Sequence, residues 1–345
     1  ARSRDLIDQD IHSKLALFGS VDRKAVFTSP NTRNIYELPQ VLDKQGLGSY
    51  LCRRMSLPLE NADWTQWNCV VQSFNESKYE LRIAICGKYT KLADSYVSIN
   101  EALKIAGAYV SARVNFEFIE TEILENQSNP EILENVDGIL VPGGFGPRGT
   151  EGKITSIRHA REKNKPFLGL CLGFQLAAVE FARHICGFEE ANSTELDPST
   201  PNPVVDLLPE QNKVDCKGAT MRLGASQIVV KNGTLACTLY GTETIYERHR
   251  HRYEINPKYI PSLSRQGLVF SGNTPDGTRM EILELPSHFF FLGTQYHPEF
   301  KTRLGRPDPA FYGFVKAALD RKLGKERPEF DPGVSENIEA HFLRR

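Results

Sequence analysis

The sequence predicts an α/β fold in which a mostly parallel central sheet is flanked by helices and extended by antiparallel strands. From residue 81 onward, short runs of aliphatic residues alternate with longer stretches of helical periodicity. Glycine-rich segments follow two of these runs. This alternation is typical of βαβ units, whose ligands bind at the carboxyl ends of the parallel strands. We therefore expect the functional residues at that edge of the sheet.

Composition and charge exclude several classes of protein. The 345 residues are 40% hydrophobic, which is enough to fill two domains or one large domain with extensions. With 42 basic and 43 acidic residues, the net charge of -1 gives no general attraction to nucleic acid or to an anionic membrane. No apolar run is long enough for a membrane span or a signal-peptide core. The seven cysteines are scattered without a Cys-x-x-Cys pair, which favours reduced thiols in the cytoplasm over a disulfide framework or a metal site.

The predicted elements fall into three regions of the chain. Residues 1–75 show no signature of chemistry and contain no glycine-rich phosphate loop. In the middle region we predict strands at 81–86, 114–119, 137–141 and 166–170, and helices at 94–107, 155–163 and 172–186. After residue 187 the segments shorten, and we predict a surface loop at 197–210 and strands at 220–230, 235–239, 244–255, 267–272, 280–285 and 289–296.

Cys171 lies between two glycines, Gly169 and Gly173, where a predicted strand meets an apolar helical stretch. A sharp turn from strand to helix crowds the backbone, and glycine on both sides relieves that crowding. The free N–H groups and the dipole of the following helix favour a thiolate and can hold an oxyanion. We therefore interpret Cys171 as a nucleophile. The alternative is a buried structural cysteine, because free cysteine is among the most buried residue types.

A glycine-rich segment at 142–149, Pro-Gly-Gly-Phe-Gly-Pro-Arg-Gly, follows the third predicted strand. It is compatible with a flexible surface turn. In a functional interpretation, Gly143 and Gly144 let the backbone approach a ligand and direct an N–H group at an oxyanion. Together with the N–H of Leu172, this predicts an oxyanion hole with two donors.

A histidine and a carboxylate, His297 and Glu299, follow the last predicted strand. Two residues apart on extended backbone, their side chains would point the same way. Glu299 could then fix the imidazole tautomer while the other ring nitrogen faces Cys171, as in a Cys-His-Glu triad. A strand-end histidine in a loop is the alternative for an isolated His-Pro-Glu.

A basic stretch at 247–253 alternates arginine with histidine. It is a poor metal site, because the neighbouring basic residues would repel a cation. Two interpretations stay open at this point. The stretch is either a solvated basic strand or an arginine fork that binds a carboxylate.

Several motifs in order carry a resemblance to a known family. Pro-Gly-Gly-Phe-Gly at 142–146, Gly-Leu-Cys-Leu-Gly-Phe-Gln at 169–175 and His-Pro-Glu at 297–299 resemble the class I glutamine amidotransferases. Three further motifs narrow the resemblance to the glutaminase domain of the CTP synthases: Ala-Asn-Ser-Thr-Glu at 191–195, Thr-Met-Arg-Leu-Gly at 220–224 and Arg-His-Arg-His-Arg-Tyr at 248–253. The resemblance implies the end of the synthase domain and a linker at 1–78, the glutaminase domain at 79–325 and a C-terminal tail at 326–345.

The resemblance also implies a role for each matching residue. Cys171 attacks the side-chain amide of glutamine to form a thioester, His297 moves the protons, and Glu299 orients His297. The backbone at Gly143 or Gly144 and at Leu172 stabilises the tetrahedral intermediates. The residues implied to bind glutamine are Gly144, Gln175, Glu195, Arg252 and Tyr253. Two residues of the glycine loop are implied to take part in a response to GTP, Phe145 and Arg148.

For the whole enzyme the resemblance implies that ammonia from L-glutamine passes to the synthase domain, which converts UTP to CTP with ATP and magnesium. GTP is the implied activator and a homotetramer the implied assembly. Because the phosphate loop is absent, we expect this chain to carry only the glutaminase half-reaction, without a cofactor of its own and without a nucleic-acid or membrane partner. Two alternatives stay open: a γ-glutamyl peptidase with the same triad, and an assembly or regulatory module that is inactive without a synthase domain.

Overall fold

A computed structural model describes residues 1–59, 61–90, 92–127, 130–207 and 221–330. The chain divides into two compact units, residues 1–76 and residues 77–345. Two predicted features, the start of the strand at 220 and the tail beyond residue 330, lie outside the described residues. No helix in the described part of the chain is long and apolar enough to cross a membrane.

The first unit is built from short helices. These are α1 (Gln9–Phe18), α2 (Leu38–Lys44), α3 (Leu47–Met55) and α4 (Thr65–Asn75). Both tryptophans of the chain lie here: Trp64 donates its indole N–H to Asp43 at 2.9 Å, and Trp67 donates to the carbonyl of Tyr36 at 2.7 Å. Tryptophan fluorescence therefore reports directly on this unit.

The second unit is an α/β domain, which confirms the predicted fold class. Its strands are β1 (Tyr79–Gly87), β2 (Ala112–Glu120), β3 (Gly138–Val141), β4 (Phe167–Leu170), β5 (Ala191–Ser193), β6 (Asn202–Asp206), β7 (Arg222–Val230), β8 (Thr244–His251), β9 (Glu254–Ile255), β10 (Val269–Asn273), β11 (Met280–Glu284) and β12 (Phe291–Thr294). Its helices are α5 (Val97–Tyr109), α6 (Thr150–Glu162), α7 (Leu172–His184), α8 (Leu235–Tyr240), α9 (Ile260–Arg265) and α10 (Pro309–Lys322).

Parallel and antiparallel strands share one nine-stranded sheet in the order β2-β1-β3-β4-β12-β11-β10-β7-β8. The strands from β2 to β12 pair in parallel, and those from β12 to β8 pair antiparallel. Helix α6 packs on α7 and α5 packs on α10, and both pairs contact the parallel strands. Every residue of β3 and β4 is buried, as expected for parallel strands with both faces covered.

Two of the predictions for the second half are wrong. Residues 235–239, predicted as a strand, form α8, because the side chain of Thr234 caps the helix at the N–H of Cys237 and Gly241 ends it in the left-handed conformation. Residues 202–206, predicted as surface loop, form β6, which pairs with β5 and β9 and buries Val204 and Val205 completely. Periodicity does not distinguish a short apolar helix from a short strand. The prolines near residues 202–206 favoured a loop over the strand that is formed there.

The predicted turn from strand to helix at Cys171 is formed between β4 and α7, and its glycines are sterically required. A Cβ added to Gly169 would lie 2.7 Å from the carbonyl oxygen of Gly173, and one added to Gly173 would lie 2.1 Å from that of Val141. Both neighbours are backbone atoms and cannot rotate away. The residue types on either side of the cysteine are therefore set by packing.

We expect Gly173→Ala to lower the free energy of unfolding of the second unit by about 3 kcal/mol, because the new methyl group meets the β3 backbone. As a control, Gly233→Ala adds a methyl group in open space at φ +74 and loses only the left-handed preference, about 1 kcal/mol. Urea unfolding followed by far-UV circular dichroism measures both losses. Tryptophan fluorescence is not suitable, because both tryptophans lie in the other unit. Equal losses in the two variants would contradict the packing argument.

Candidate active site

Cys171 occupies a strained position at the carboxyl end of β4. Its backbone has φ 49 and ψ -98, a conformation that residues other than glycine rarely adopt. The N–H of Cys171 donates to the carbonyl of Thr294 at 2.7 Å, and its carbonyl accepts from the N–H of Gln175 at 3.1 Å. The side chain is 3% exposed. Hydrogen bonds to β12 and to the first turn of α7 therefore hold the residue in a position that it would not adopt alone.

His297 and Glu299 make the predicted contact, although not on extended backbone. Nδ1 of His297 and Oε1 of Glu299 are 2.7 Å apart, and a 3-10 turn, Pro298–Phe300, brings the two side chains together. The prediction of an extended backbone here is wrong, because Pro298 begins the turn. The N–H of His297 donates to the carbonyl of Arg248 at 2.9 Å, which fixes this segment to β8.

The imidazole of His297 lies beside the thiol. A Cβ built on Gly143 would lie 3.2 Å from Cε1 of His297 and 3.5 Å from Cβ of Cys171, so the two side chains flank one glycine. Burial favours the neutral ring, but the sulfur of Cys171 and the carboxylate of Glu299 outweigh it and raise the pKa of His297 to about 10. The ring is therefore held as an imidazolium at neutral pH, with Cys171 and Glu299 on its two sides.

Two segments predicted to supply the oxyanion donors adjoin Cys171: the start of α7 and the glycine-rich segment after β3. Leu172 is the first residue of α7, so its N–H has no carbonyl partner within the helix. The oxyanion loop, which we define as residues 142–146, passes over Cys171 and is held at its far end by two side chains. Lys88 donates to the carbonyls of Phe145 and Gly146, each at 3.0 Å, and Glu195 accepts the N–H of Gly146 at 3.3 Å.

A cavity of about 260 Å³ opens beside Cys171 and contains all five residues predicted to bind glutamine. It is lined by Gly144, Phe145, Cys171, Gln175, Glu195, Met221, Arg250, His251, Arg252 and Tyr253. Nε of Arg252 is buried and has no hydrogen-bond partner in the described part of the chain. Burial raises the pKa of Glu195, while the N–H of Gly146 and the charges of Arg252 and Lys88 oppose the rise. A cation and an acid thus face one small cavity.

Two glutamines connect the cavity wall to the thiol. The amide of Gln175 donates to the carbonyl of Tyr253 at 2.9 Å and to Oε1 of Gln295 at 3.2 Å. Gln295, which is fully buried, in turn places its amide nitrogen 3.8 Å from the sulfur of Cys171. Sequence reasoning missed Gln295. Its signal was a polar side chain at the end of an apolar strand, two residues before His297.

The structure separates the two residues predicted to respond to GTP. Phe145 lines the cavity, is 52% exposed and lies 5.9 Å from the guanidinium of Arg250. Arg148 does not line the cavity. It lies over the ring of Tyr89 at 4.9 Å and pairs with Glu122 at 3.4 Å.

The basic stretch is not solvated on both faces. Along β8, Glu247, His249 and His251 are buried, whereas Arg248 and Arg250 are exposed. Burial, with a contribution from Arg222, lowers the pKa of His249 to about 2 and that of His251 to about 3, so both rings are neutral. Within the described ranges, no three His, Cys, Asp or Glu side chains come together to hold a metal ion.

Comparison with known proteins places this chain in a family. Residues 91–317 match the family described as Glutamine amidotransferase class-I, and residues 1–57 match CTP synthase N-terminus. The solved glutaminase domain of Trypanosoma brucei CTPS, which holds acivicin, is 33% identical with a TM-score of 0.68. The alignment covers 75% of this chain and 98% of that one. The chain belongs to the class I glutamine amidotransferases, in the CTP synthase family.

Relatives within the CTP synthase family are longer than this chain. The CTP synthase of Thermococcus kodakarensis is 52% identical over 325 residues, which cover 94% of this chain and 61% of the relative. That of Methanocaldococcus jannaschii is 49% identical over 323 residues, covering 92% and 60%. The chain thus spans about 61% of the length of such relatives.

In this glutamine amidotransferase we expect His297 to stay protonated well above 6.5, and Glu299→Gln to lower its pKa by removing one of the two groups that raise it. Titration of ¹³C-histidine resonances from well below pH 6.5 to well above pH 10 measures both values and the lowered pKa of the control. His288 is the internal control, because burial lowers its pKa and it lacks this carboxylate neighbour. A His297 midpoint near 6.5 in the wild type, or one that Glu299→Gln leaves unchanged, would contradict the assignment.

Proposed function

We propose that the chain hydrolyses L-glutamine to glutamate and ammonia through a thioester on Cys171. The observation that carries the proposal is the meeting of three features at one site: a cysteine on a strained elbow, a His297–Glu299 pair beside it, and a buried guanidinium nitrogen of Arg252 that has no hydrogen-bond partner among the described residues. The family, whose name describes transfer of the glutamine amide, supports the same chemistry.

Glutamine binds in the proposed complex by both charged ends of the amino acid. Its α-carboxylate pairs with Arg252, which satisfies the unpaired nitrogen by a charge-assisted hydrogen bond. Its ammonium faces Glu195, and that positive charge offsets the burial of the carboxylate. The side-chain amide then extends toward Cys171 and the oxyanion loop. Gln175 acts mainly through Tyr253, whose carbonyl it holds at 2.9 Å.

The proposed reaction has two halves. The sulfur of Cys171, its proton having passed to His297, attacks the amide carbon, and the N–H groups of Leu172 and the oxyanion loop hold the negative oxygen. The C–N bond breaks as His297 gives its proton to the leaving nitrogen, which departs as ammonia. Neutral His297 then takes a proton from water as the water oxygen attacks the thioester. The C–S bond breaks, glutamate leaves, and the imidazolium and the sulfur return to their starting state.

For the whole enzyme we propose the sequence of events that the resemblance to the CTP synthases implies. A synthase domain receives the ammonia and uses ATP and magnesium to convert UTP to CTP, GTP activates the glutaminase reaction, and the enzyme assembles as a homotetramer. Phe145 at the cavity mouth is the better placed of the two candidate residues for a GTP response, because Arg148 is engaged with Glu122 and Tyr89.

Intact mass after incubation with a glutamine-mimicking diazoketone tests the site. We expect one adduct, mapping to Cys171, and none in Cys171→Ala. Arg252→Ala should slow labelling by about 10-fold or more, because a charge-assisted hydrogen bond to the carboxylate is lost. Arg248→Ala is the matched control: this arginine is the exposed neighbour on β8 and does not line the cavity, so its rate should not change. A folded wild-type chain without an adduct would favour the regulatory-module alternative.

Substrate choice separates glutaminase from peptidase. We expect hydrolysis of free L-glutamine with a higher kcat/KM than that of γ-glutamylglycine, because a cavity of about 260 Å³ accommodates one amino acid beside the loop. Glutamate release, followed enzymatically for both substrates, gives the ratio. A preference for γ-glutamylglycine would reverse the assignment in favour of the γ-glutamyl peptidase.

A further inference from the structure

We propose that Lys153 is a positioning residue, which holds the Pro142–Gly143 peptide so that the oxyanion loop presents its N–H groups to the reacting carbonyl. The inference rests on the proposed hydrolysis of glutamine and adds to it a residue that belongs to none of the motifs. Lys153 does not touch the substrate in this role. It acts through the loop.

Lys153 is a buried lysine without a carboxylate partner. It is the fourth residue of α6 and is 1% exposed. Its Nζ donates to the carbonyl of Pro142 at 3.3 Å, and a Cβ built on Gly144 would lie 3.4 Å from the same nitrogen. No ion pair joins Lys153 to an acidic side chain within the described residues. The hydrogen bond of its amine is made to the oxyanion loop, and the sulfurs of Cys171 and Cys86 lie within electrostatic reach of the same amine.

The protonation state of Lys153 does not decide this contact. Burial lowers the pKa of Lys153 to about 7, and the charge of Lys88 adds to the effect. An amine and an ammonium both carry N–H groups, so either form donates to Pro142. Burying a lysine costs free energy of folding. No salt bridge within the described residues offsets that cost for Lys153.

Planarity of the peptide transmits the contact to the site. The Pro142–Gly143 peptide is trans, so its N–H points opposite to its carbonyl. Because the carbonyl points to Lys153 on α6, the N–H of Gly143 points away from α6. Gly143 itself lies next to His297 and Cys171. The amine thus opposes a rotation that would place a carbonyl oxygen where the oxyanion needs a donor, and its hydrogen bond polarises the same peptide.

The other end of the oxyanion loop has separate supports. Lys88 holds the carbonyls of Phe145 and Gly146, and Glu195 holds the N–H of Gly146. Loss of Lys153 should therefore release the end that carries the oxyanion donors and leave the substrate-binding end in place. Such a change lowers kcat much more than it raises KM.

Lys153→Met tests the proposal, because methionine keeps the length of the side chain and removes the donor. We expect kcat for glutamine to fall by about 10-fold or more, since oxyanion donors are worth up to about 100- to 1,000-fold, with little change in KM. Alkylation of Cys171 by iodoacetamide passes through no oxyanion, so its rate should fall much less than kcat, even though the charge of Lys153 also acts on the thiol. Peptide mapping measures the alkylation rate at Cys171 separately from that at the other cysteines.

Lys165→Met is the matched control. Lys165 is also buried, and its Nζ donates to the carbonyls of Glu134 and Val136 at 2.7 and 3.0 Å. It precedes β4, whereas Cys171 follows β4, so it lies at the other end of the strand. We expect this variant to lose stability and to keep kcat within about twofold, because its carbonyl contacts are remote from the reaction.

The outcomes distinguish the two proposals. An unchanged kcat in Lys153→Met overturns the positioning role, as does an equal loss in Lys165→Met or a parallel fall in the alkylation rate. If Lys153→Met does not fold, Lys153→Leu, which also lacks a donor, applies the same criteria, and a full loss of alkylation there also counts against the role. A wild-type chain that hydrolyses no glutamine overturns the proposed function first, and this inference with it.

Discussion

The site depends on one constraint, the strained backbone of Cys171 between β4 and α7. A hydrogen bond from its N–H to Thr294 ties the cysteine to β12, while Gly173 packs against the carbonyl of Val141 in β3. Three parallel strands therefore fix the position of one sulfur atom. Since β12 also leads into His297, the strand spacing sets the distance between nucleophile and base. Side-chain contacts such as His297–Glu299 only refine an arrangement that the sheet has already made.

Charge around the sulfur is arranged for negative intermediates. Arg252 lines the cavity, the imidazolium of His297 lies beside the thiol, and the amines of Lys88 and Lys153 hold the oxyanion loop, while burial keeps His249 and His251 neutral. A thiolate, a tetrahedral oxyanion and an α-carboxylate each develop negative charge in this region. Donors that are already in place need little reorganisation when that charge forms. The same positive charges are costly in the folded protein until a ligand or an intermediate offsets them.

Much of the site could be predicted from sequence because its chemistry follows local rules. Glycines around Cys171, a glycine loop after β3 and a carboxylate two residues after His297 are requirements of short segments, and the structure brings them together. Gln295 and Lys153 could not be found in this way. Each acts on a segment far away in the chain, and a lysine on the buried face of α6, in step with Ile157 and Ala160, resembles an exposed charge in any single sequence. Helix α8 was missed because capping residues overrode the strand-like pattern, and the 3-10 turn after His297 was missed because Pro298 begins it.

Two basic groups that interact with the thiol, His297 and Lys153, make the stability of the protein depend on pH with opposite signs. His297 has a folded pKa of about 10 against 6.5 in the unfolded chain, so its contribution is complete below 6.5 and is lost as the pH rises to 10. Lys153 has a folded pKa of about 7 against 10.5, so the unfolded chain binds the extra proton and the free energy of unfolding rises between those values. Between pH 7 and 10 the two slopes oppose each other. The net dependence of stability on pH from this pair is therefore smaller in that range than either group alone would give.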